Sequence, residues 1–273
     1  SIPLNNRPTL SPASPLSRIF LNISTPENFT PTQEWLYNYD EKKILLSPVS
    51  DFNEYFTQDE ISNKKLYRLD MGKIVIPTGN IMVRDPLVYL HQEELPYFIK
   101  VPTGTFPLTT LVVEVDEGHH RYVATRVKFT ENKAVSYTEA LIGNEDMNSL
   151  NSGEYFGFNV DAGLATIVDT QTRDLYCNFV DQWEKENPEG NIYDNFFAQE
   201  FKKSYEKNPE FQRTDGDWIN FNIPGTDLNI PMIQTGFGDG VYPAYFGYDE
   251  NKNICELVVQ YIAIEMAFGD EDE

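Results

Sequence analysis

Four aspartates, Asp85, Asp161, Asp169 and Asp239, stand at the ends of β-prone runs, most of them close to Pro or Gly. Carboxylates at strand ends can meet at one rim of a sheet, and oxygen ligands gathered there suit a hard cation, magnesium or calcium. A plainer reading competes with this. Asp85-Pro, Asp161-Ala-Gly and Asp239-Gly are ordinary turn sequences, and none of the loops has the spaced acids of a preorganised calcium loop. The turn reading, with no cofactor, is preferred, and a metal-assisted hydrolase is the alternative.

The densest run of glycines and aromatics is Thr235-Gly-Phe-Gly-Asp-Gly-Val-Tyr-Pro-Ala-Tyr-Phe-Gly-Tyr-Asp249. Glycines at 236, 238 and 240 allow tight turning or close backbone approach, which would aim Asp239 inward. Beyond them Val241 to Tyr248 reads as a strand interrupted by Pro243 and Gly247, and Asp249 to Asn253 as a turn into a second strand. Core packing explains most of the aromatics. Yet alternate residues of a strand share one face, so two or three of Tyr242, Tyr245, Phe246 and Tyr248 could line a pocket with Trp218, and Tyr242, Tyr245, Trp218 and Asp239 are candidates for ligand binding.

Other chemistry is thinly represented. The three histidines are His91, His119 and His120, and the last two fall in an apparent hairpin turn, where a solvated loop is the ordinary expectation. No serine sits in a nucleophile elbow, and there is no Walker loop, dinucleotide fingerprint or zinc-protease helix motif. Cys177 and Cys255 have no metal-ligand spacing and read as inert core thiols.

The elements that would carry these residues follow from composition and period. At 273 residues, 40% hydrophobic and 14% aromatic, the chain is long enough for a real core. The 21 Lys+Arg against 43 Asp+Glu give a net charge of −22, a field that repels a phosphate backbone and steers a basic protein partner inward. Nucleic-acid binding is therefore disfavoured. No apolar run approaches the roughly twenty residues of a membrane span, so a soluble cytoplasmic protein is expected.

Residues 1–50 form a proline-rich arm or strap, in which Ser17 to Ile23 carries enough apolar side chains to dock on the body. Thr57-Gln-Asp-Glu60 has capping-box spacing and predicts a short helix over 57–64. Short β-prone runs follow at 66–71, 73–77 and 81–83, with Pro77-Thr-Gly-Asn80 punctuating a hairpin, and further strands at 98–101, 106–117, 121–130 and 134–142. Alternation in these runs suits an antiparallel meander with one wet face. Helical periodicity appears only near 170–206. There Leu175, Phe179, Val180 and Trp183 share one face behind a cap at Asp169 or Thr170, and Ile192, Phe196, Phe197, Phe201 and Tyr205 mark a second helix. Runs at 218–223, 228–233 and 254–264 return to strand. The expected fold class is α+β, a predominantly antiparallel sheet with a two-helix insertion and an N-terminal strap: one domain over 51–268, then an acidic tail at 269–273.

Gly72-Lys-Ile-Val-Ile-Pro-Thr-Gly79, Arg84-Asp-Pro86, Gly104-Thr-Phe-Pro107, Gly157-Phe-Asn-Val-Asp-Ala-Gly163, Trp218-Ile-Asn-Phe221 and Gly236 to Gly247 follow one another in an order and spacing that resemble a bacterial family, domain of unknown function 4241. The resemblance covers roughly residues 52 to 265. This chain departs from it in the first fifty residues, in Phe237 where the family often has Trp, and in the length of the helical insertion. It implies a single β-rich domain and no activity. The functional expectation is therefore a non-catalytic acidic binding protein, a partner in a bacterial interaction, conflict or defence system.

Overall fold

The computed structural model describes residues 29–269. The arm up to residue 28, with the Ser17 to Ile23 run, and tail residues 270–273 lie outside the described residues. In chain order, helix α1 (Gln33–Lys42) is capped by the Thr32 hydroxyl and runs into a 3-10 turn, Lys43–Leu46. Its Trp35 and Tyr39 rings stack at 5.3 Å and both meet Phe98 edge-on, which seats the helix against the loop at Leu141 to Leu150. Helix α2 (Phe52–Tyr55) is capped by Asp51, whose carboxylate accepts from the amides of Asn53 and Glu54.

The expected 57–64 helix does not form. Thr57 donates its hydroxyl back to the Asn53 carbonyl and so caps nothing ahead of it. Ser62 and Asn63 both take left-handed backbone angles, φ 50° and 60°, closing a two-residue hairpin between β1 (Glu60–Ile61) and β2 (Lys64–Ile76). The two runs split at Gly72 are one strand with a bulge between Asp70 and Lys73. Nor is Pro77 to Asn80 a hairpin turn. Its Thr78 and Gly79 amides donate to Asp169, and the chain passes into a second sheet as β3 (Ile81–Arg84). Residues 98–101 make single bonds, Phe98 to Leu141 and Val101 to Gly79, without a strand ladder.

Strands β4 (Gly104–Asp116) and β5 (His119–Lys128) form the expected hairpin, followed by β6 (Ser136–Glu139), β7 (Phe158–Val160) and β8 (Leu164–Asp169). The two-helix insertion is present: α3 (Thr170–Glu186), capped by Asp169, then a π turn at Tyr193–Phe197 leading into α4 (Ala198–Lys207). Then come β9 (Trp218–Asn222), β10 (Asn229–Gln234), β11 (Gly240–Tyr242), β12 (Ala244–Tyr248) and β13 (Ile254–Gln260). The last run ends as strand at Gln260, and Ile264–Phe268 is a short helix, α5.

All strand pairings are antiparallel, in a seven-stranded sheet β1-β2-β4-β5-β13-β12-β6, a four-stranded sheet β3-β8-β10-β9 and a β11-β7 pair. The meander therefore stops at β5, and β13 and β12 come next to it. Period-two burial explains the layering. On the four-stranded sheet, Ile81, Val83, Ala165, Ile167 and Ile233 enter the core shared with the large sheet. Met82, Leu164, Val168, Ile230 and Met232 enter a second core with Leu175, Phe179, Trp183 and Phe197 of the insertion. The small sheet is thus buried on both faces, and the order of layers is sheet, sheet, helices. Its strand ends and loops emerge at the rims, where the remaining polar chemistry gathers.

Candidate functional site

Three of the four aspartates meet at one turn, where Asp85 and Asp239 hold backbone amides and Asp161 a tyrosine hydroxyl. Asp85, 0% exposed at the end of β3, accepts from the amides of Asp161 (3.0 Å) and Ala162 (2.6 Å) with one oxygen and from Leu87 (2.9 Å) with the other. The next amide, Gly163, donates to Asp239 (2.9 Å). Asp161 accepts from the Tyr89 hydroxyl. Asp169 lies at the far end of β8, roughly 16 Å along the strand, where it accepts from Thr78, Gly79 and Gln171. Burial lifts its carboxyl above the usual range despite those donors. Among the described residues no group of three or more His, Cys, Asp or Glu is arranged to hold a metal ion. The aromatic candidates Trp218, Tyr242 and Tyr245 are buried in the core, Tyr245 against Phe52 of α2. Tyr242 reaches outward only through its hydroxyl, which donates to the Gly238 carbonyl (2.7 Å).

That contact and the aspartate turn support a cleft of about 420 Å³ beside the start of the Thr235 to Asp249 run. The Thr235 amide donates to Gly163 (3.0 Å), so the 235–239 loop and the 161–163 turn hold each other. Gly236 lies against β5 so closely that a Cβ there would stand 2.4 Å from Ile262 and 2.6 Å from the Tyr122 carbonyl. Facing this loop are His119, His120 and Arg121 at the start of β5, and Phe211 to Arg213 from the loop before β9. Phe211 is held in a left-handed conformation, φ 60°, which costs a bulky residue about 1 kcal/mol. The Tyr122 hydroxyl holds its carbonyl (3.1 Å), and its ring packs on Tyr67 and His120. We expect Gly236→Ala to lower stability by about 1–3 kcal/mol through overpacking and to displace Phe237. A melting curve and the fluorescence of a probe attached near residue 237 would read the two effects, and an unshifted melting point would contradict the close approach.

A second groove, about 330 Å³, lies between the 86–93 loop and α3. Leu87, Leu90, Tyr176, Cys177, Val180 and Ile192 form an apolar floor, and the exposed Glu93, Asp181 and Glu184 stand at its rim, with His91 and Gln92. Its wall is pinned from α3. Arg173, fully buried and paired with Asp174 at 2.7 Å, donates to the carbonyls of His91 (2.9 Å) and Glu94 (3.0 Å). The Tyr176 hydroxyl donates to Pro86 (3.2 Å) and the Cys177 thiol to Leu90 (3.3 Å). Asp85 begins the same loop through the Leu87 amide, so this one carboxylate braces both clefts. Burial pushes the Cys177 thiol up to about 12 and Cys255 up to about 11, the environment of inert thiols.

Between Arg84, Tyr97 and Phe156 is a small cavity of about 20 Å³, with room for a single water. Glu139, 3% exposed, lines it and accepts from the amides of Phe156 (2.9 Å) and Gly157 (2.8 Å). Burial pushes its carboxyl up to about 7, against the pull of those donors. Nothing in the sequence marks Glu139, Phe211 or Arg213. The His119-His120 pair is visible there but carries no sign of what the 209–217 loop places opposite it.

No helix among the described residues is long and apolar enough to cross a membrane. No curated protein and no solved structure matches this chain. The family model described as protein of unknown function (DUF4241) matches residues 74–259, a span that contains the Asp85 brace, the insertion and the loop from Thr235 to Asp249. By that match, over more than half of its length, the chain belongs to the DUF4241 family.

Proposed function

We propose that the protein binds a basic protein partner, and that the groove between the 86–93 loop and α3 receives an arginine or lysine side chain of that partner. The observation that carries this reading is three exposed carboxylates, Glu93, Asp181 and Glu184, around a half-buried apolar floor. A long basic side chain matches both parts, because its aliphatic stem covers apolar surface while its charged head stays at the rim. The net charge of −22 adds long-range steering toward such a partner. The contacts from Arg173, Tyr176 and Cys177 hold the wall before any partner arrives, which limits the ordering cost of binding. A metal-assisted hydrolase built on Asp85, Asp161, Asp169 and Asp239 has weaker support, since Asp85, Asp169 and Asp239 accept from backbone amides and Asp169 stands apart.

The test is a footprint with a defined probe, an amphipathic peptide carrying arginines beside a leucine stripe, followed by amide NMR shifts. Saturating changes are expected at residues 87–93, 176–184 and 192. Changes scattered over the acidic surface, without a focus at the groove, would refute the assignment.

A further inference from the structure

We infer that the cleft walled by His119 to Tyr122, Phe211 to Arg213 and Gln234 to Gly238 binds a small planar organic anion, a carboxylate or phosphate carried on an aromatic ring. The groove described above and this cleft share no lining residue, so either assignment can fail without the other.

Charge is the first observation. In a chain with twice as many acids as bases, this cleft brings together Arg121, Arg213 and two imidazoles, and its one lining carboxylate is Asp217. Asp217 is buried and already committed: it accepts from the Arg213 amide (2.6 Å), from Nε (2.9 Å) and from Nη2 (2.7 Å). That side-on grip leaves the Nη1 end of a guanidinium whose side chain is 77% exposed. Glu114, behind the lining, stands 3.8 Å from the imidazole of His120. Counted over the lining residues, Arg121 and Arg213 against Asp217 leave one positive charge, opposite in sign to the molecule as a whole.

The second observation is a platform. Phe237, 53% exposed, lies under the Arg121 guanidinium at 5.1 Å, and Arg121 Nη1 is fixed by the Gly236 carbonyl at 2.7 Å. An aromatic face and a tethered cation side by side present stacking surface and charge to one ligand. A third observation is the strained backbone at Phe211. The left-handed turn sets its half-buried ring against Tyr67 and against His120, which lines the cleft. Strain of this kind concentrates at ligand sites. The volume of about 420 Å³ suits one aromatic ring with its anionic group.

The probes are phenyl phosphate and salicylate as ring-bearing anions, with phenol as the ring half of both and inorganic phosphate and formate as the respective anionic halves, titrated into the full chain by calorimetry. At least one ring-bearing anion is expected to saturate the protein, with each half binding about tenfold more weakly or worse. Phe237→Ala, at an exposed position, and Arg121→Gln should each weaken that anion about tenfold, and Phe237→Ala should leave the melting point in place. If neither ring-bearing anion saturates by about 10 mM, or if both variants bind as the wild type does, the assignment is wrong.

Discussion

Asp85→Ala is expected to lower unfolding stability by about 3 kcal/mol and the melting point by roughly 6–12 °C. Three amides, those of Asp161, Ala162 and Leu87, lose their acceptor together. Each lost bond is taken near the low end of the usual 1–3 kcal/mol, because the turn is partly exposed and a water can enter the space left by the carboxyl. The effect should spread. The turn is bonded to the 235–239 loop through Gly163, and the 86–93 loop begins at Leu87, so both clefts should loosen with it. Asp85→Asn, which keeps one carbonyl oxygen but turns an amino group toward donors, should fall between the alanine variant and the wild type. Chemical denaturation of the three proteins measures the series. A different account makes the opposite forecast: were Asp85 held in place to ligate a metal, removing its charge would leave the metal-free protein as stable or more so.

Glu139 should make stability depend on pH. Its folded carboxyl titrates at about 7 against an ordinary value of 4.5. Between those values the folded protein keeps a proton that the unfolded chain has released, so unfolding stability falls as pH rises through the window. Below about pH 4.5 the group costs nothing, and above about pH 7 its burial as an anion costs on the order of 3 kcal/mol. The large net charge gives the whole molecule its own pH dependence, and comparison with Glu139→Gln removes that background. The variant is expected to gain on the wild type steadily from pH 4.5 to 8, although the glutamine amino group facing Phe156 or Gly157 lowers its stability at every pH. A gap between the two that stayed constant with pH would show that Glu139 does not hold its proton in the fold.

Features written in local sequence are the ones that could be read without coordinates. The insertion is visible because Leu175, Phe179 and Trp183 repeat at helical spacing behind a capping Asp169, and α3 follows that pattern. The β4-β5 hairpin is visible from alternation around Glu117-Gly118. The missing helix at 57–64 shows the limit of a local motif. Thr57 has the right spacing to cap, yet its hydroxyl is taken by the preceding turn while Asp51 caps α2 instead. Pro77 to Asn80 looks like a hairpin turn because local text cannot reveal that Asp169, about ninety residues later, takes its amides and sends β3 to another sheet.

The site divides along the same line. Asp85, Asp161 and Asp239 stand in sequences that read as turns, and of their bonds only the one from the Leu87 amide to Asp85 is local. That they converge on a single turn, and brace two clefts by doing so, depends on contacts across 76 and 77 positions of sequence. Trp218, Tyr242 and Tyr245 look like a platform in the sequence, but all three rings are buried, so these aromatics report core. Phe237, by contrast, is 53% exposed.

The most direct measurement of the proposed function is the affinity of the arginine-bearing peptide for the triple variant Glu93→Gln, Asp181→Asn, Glu184→Gln, at about 150 mM salt. The control is a second triple, Glu117→Gln, Glu131→Gln, Glu250→Gln, which removes the same charge from exposed positions that do not line the groove. The groove triple should bind at least about tenfold more weakly than wild type while the control stays within about twofold. Equal losses in the two triples would mean that net charge alone attracts the peptide, and the groove would not be its site.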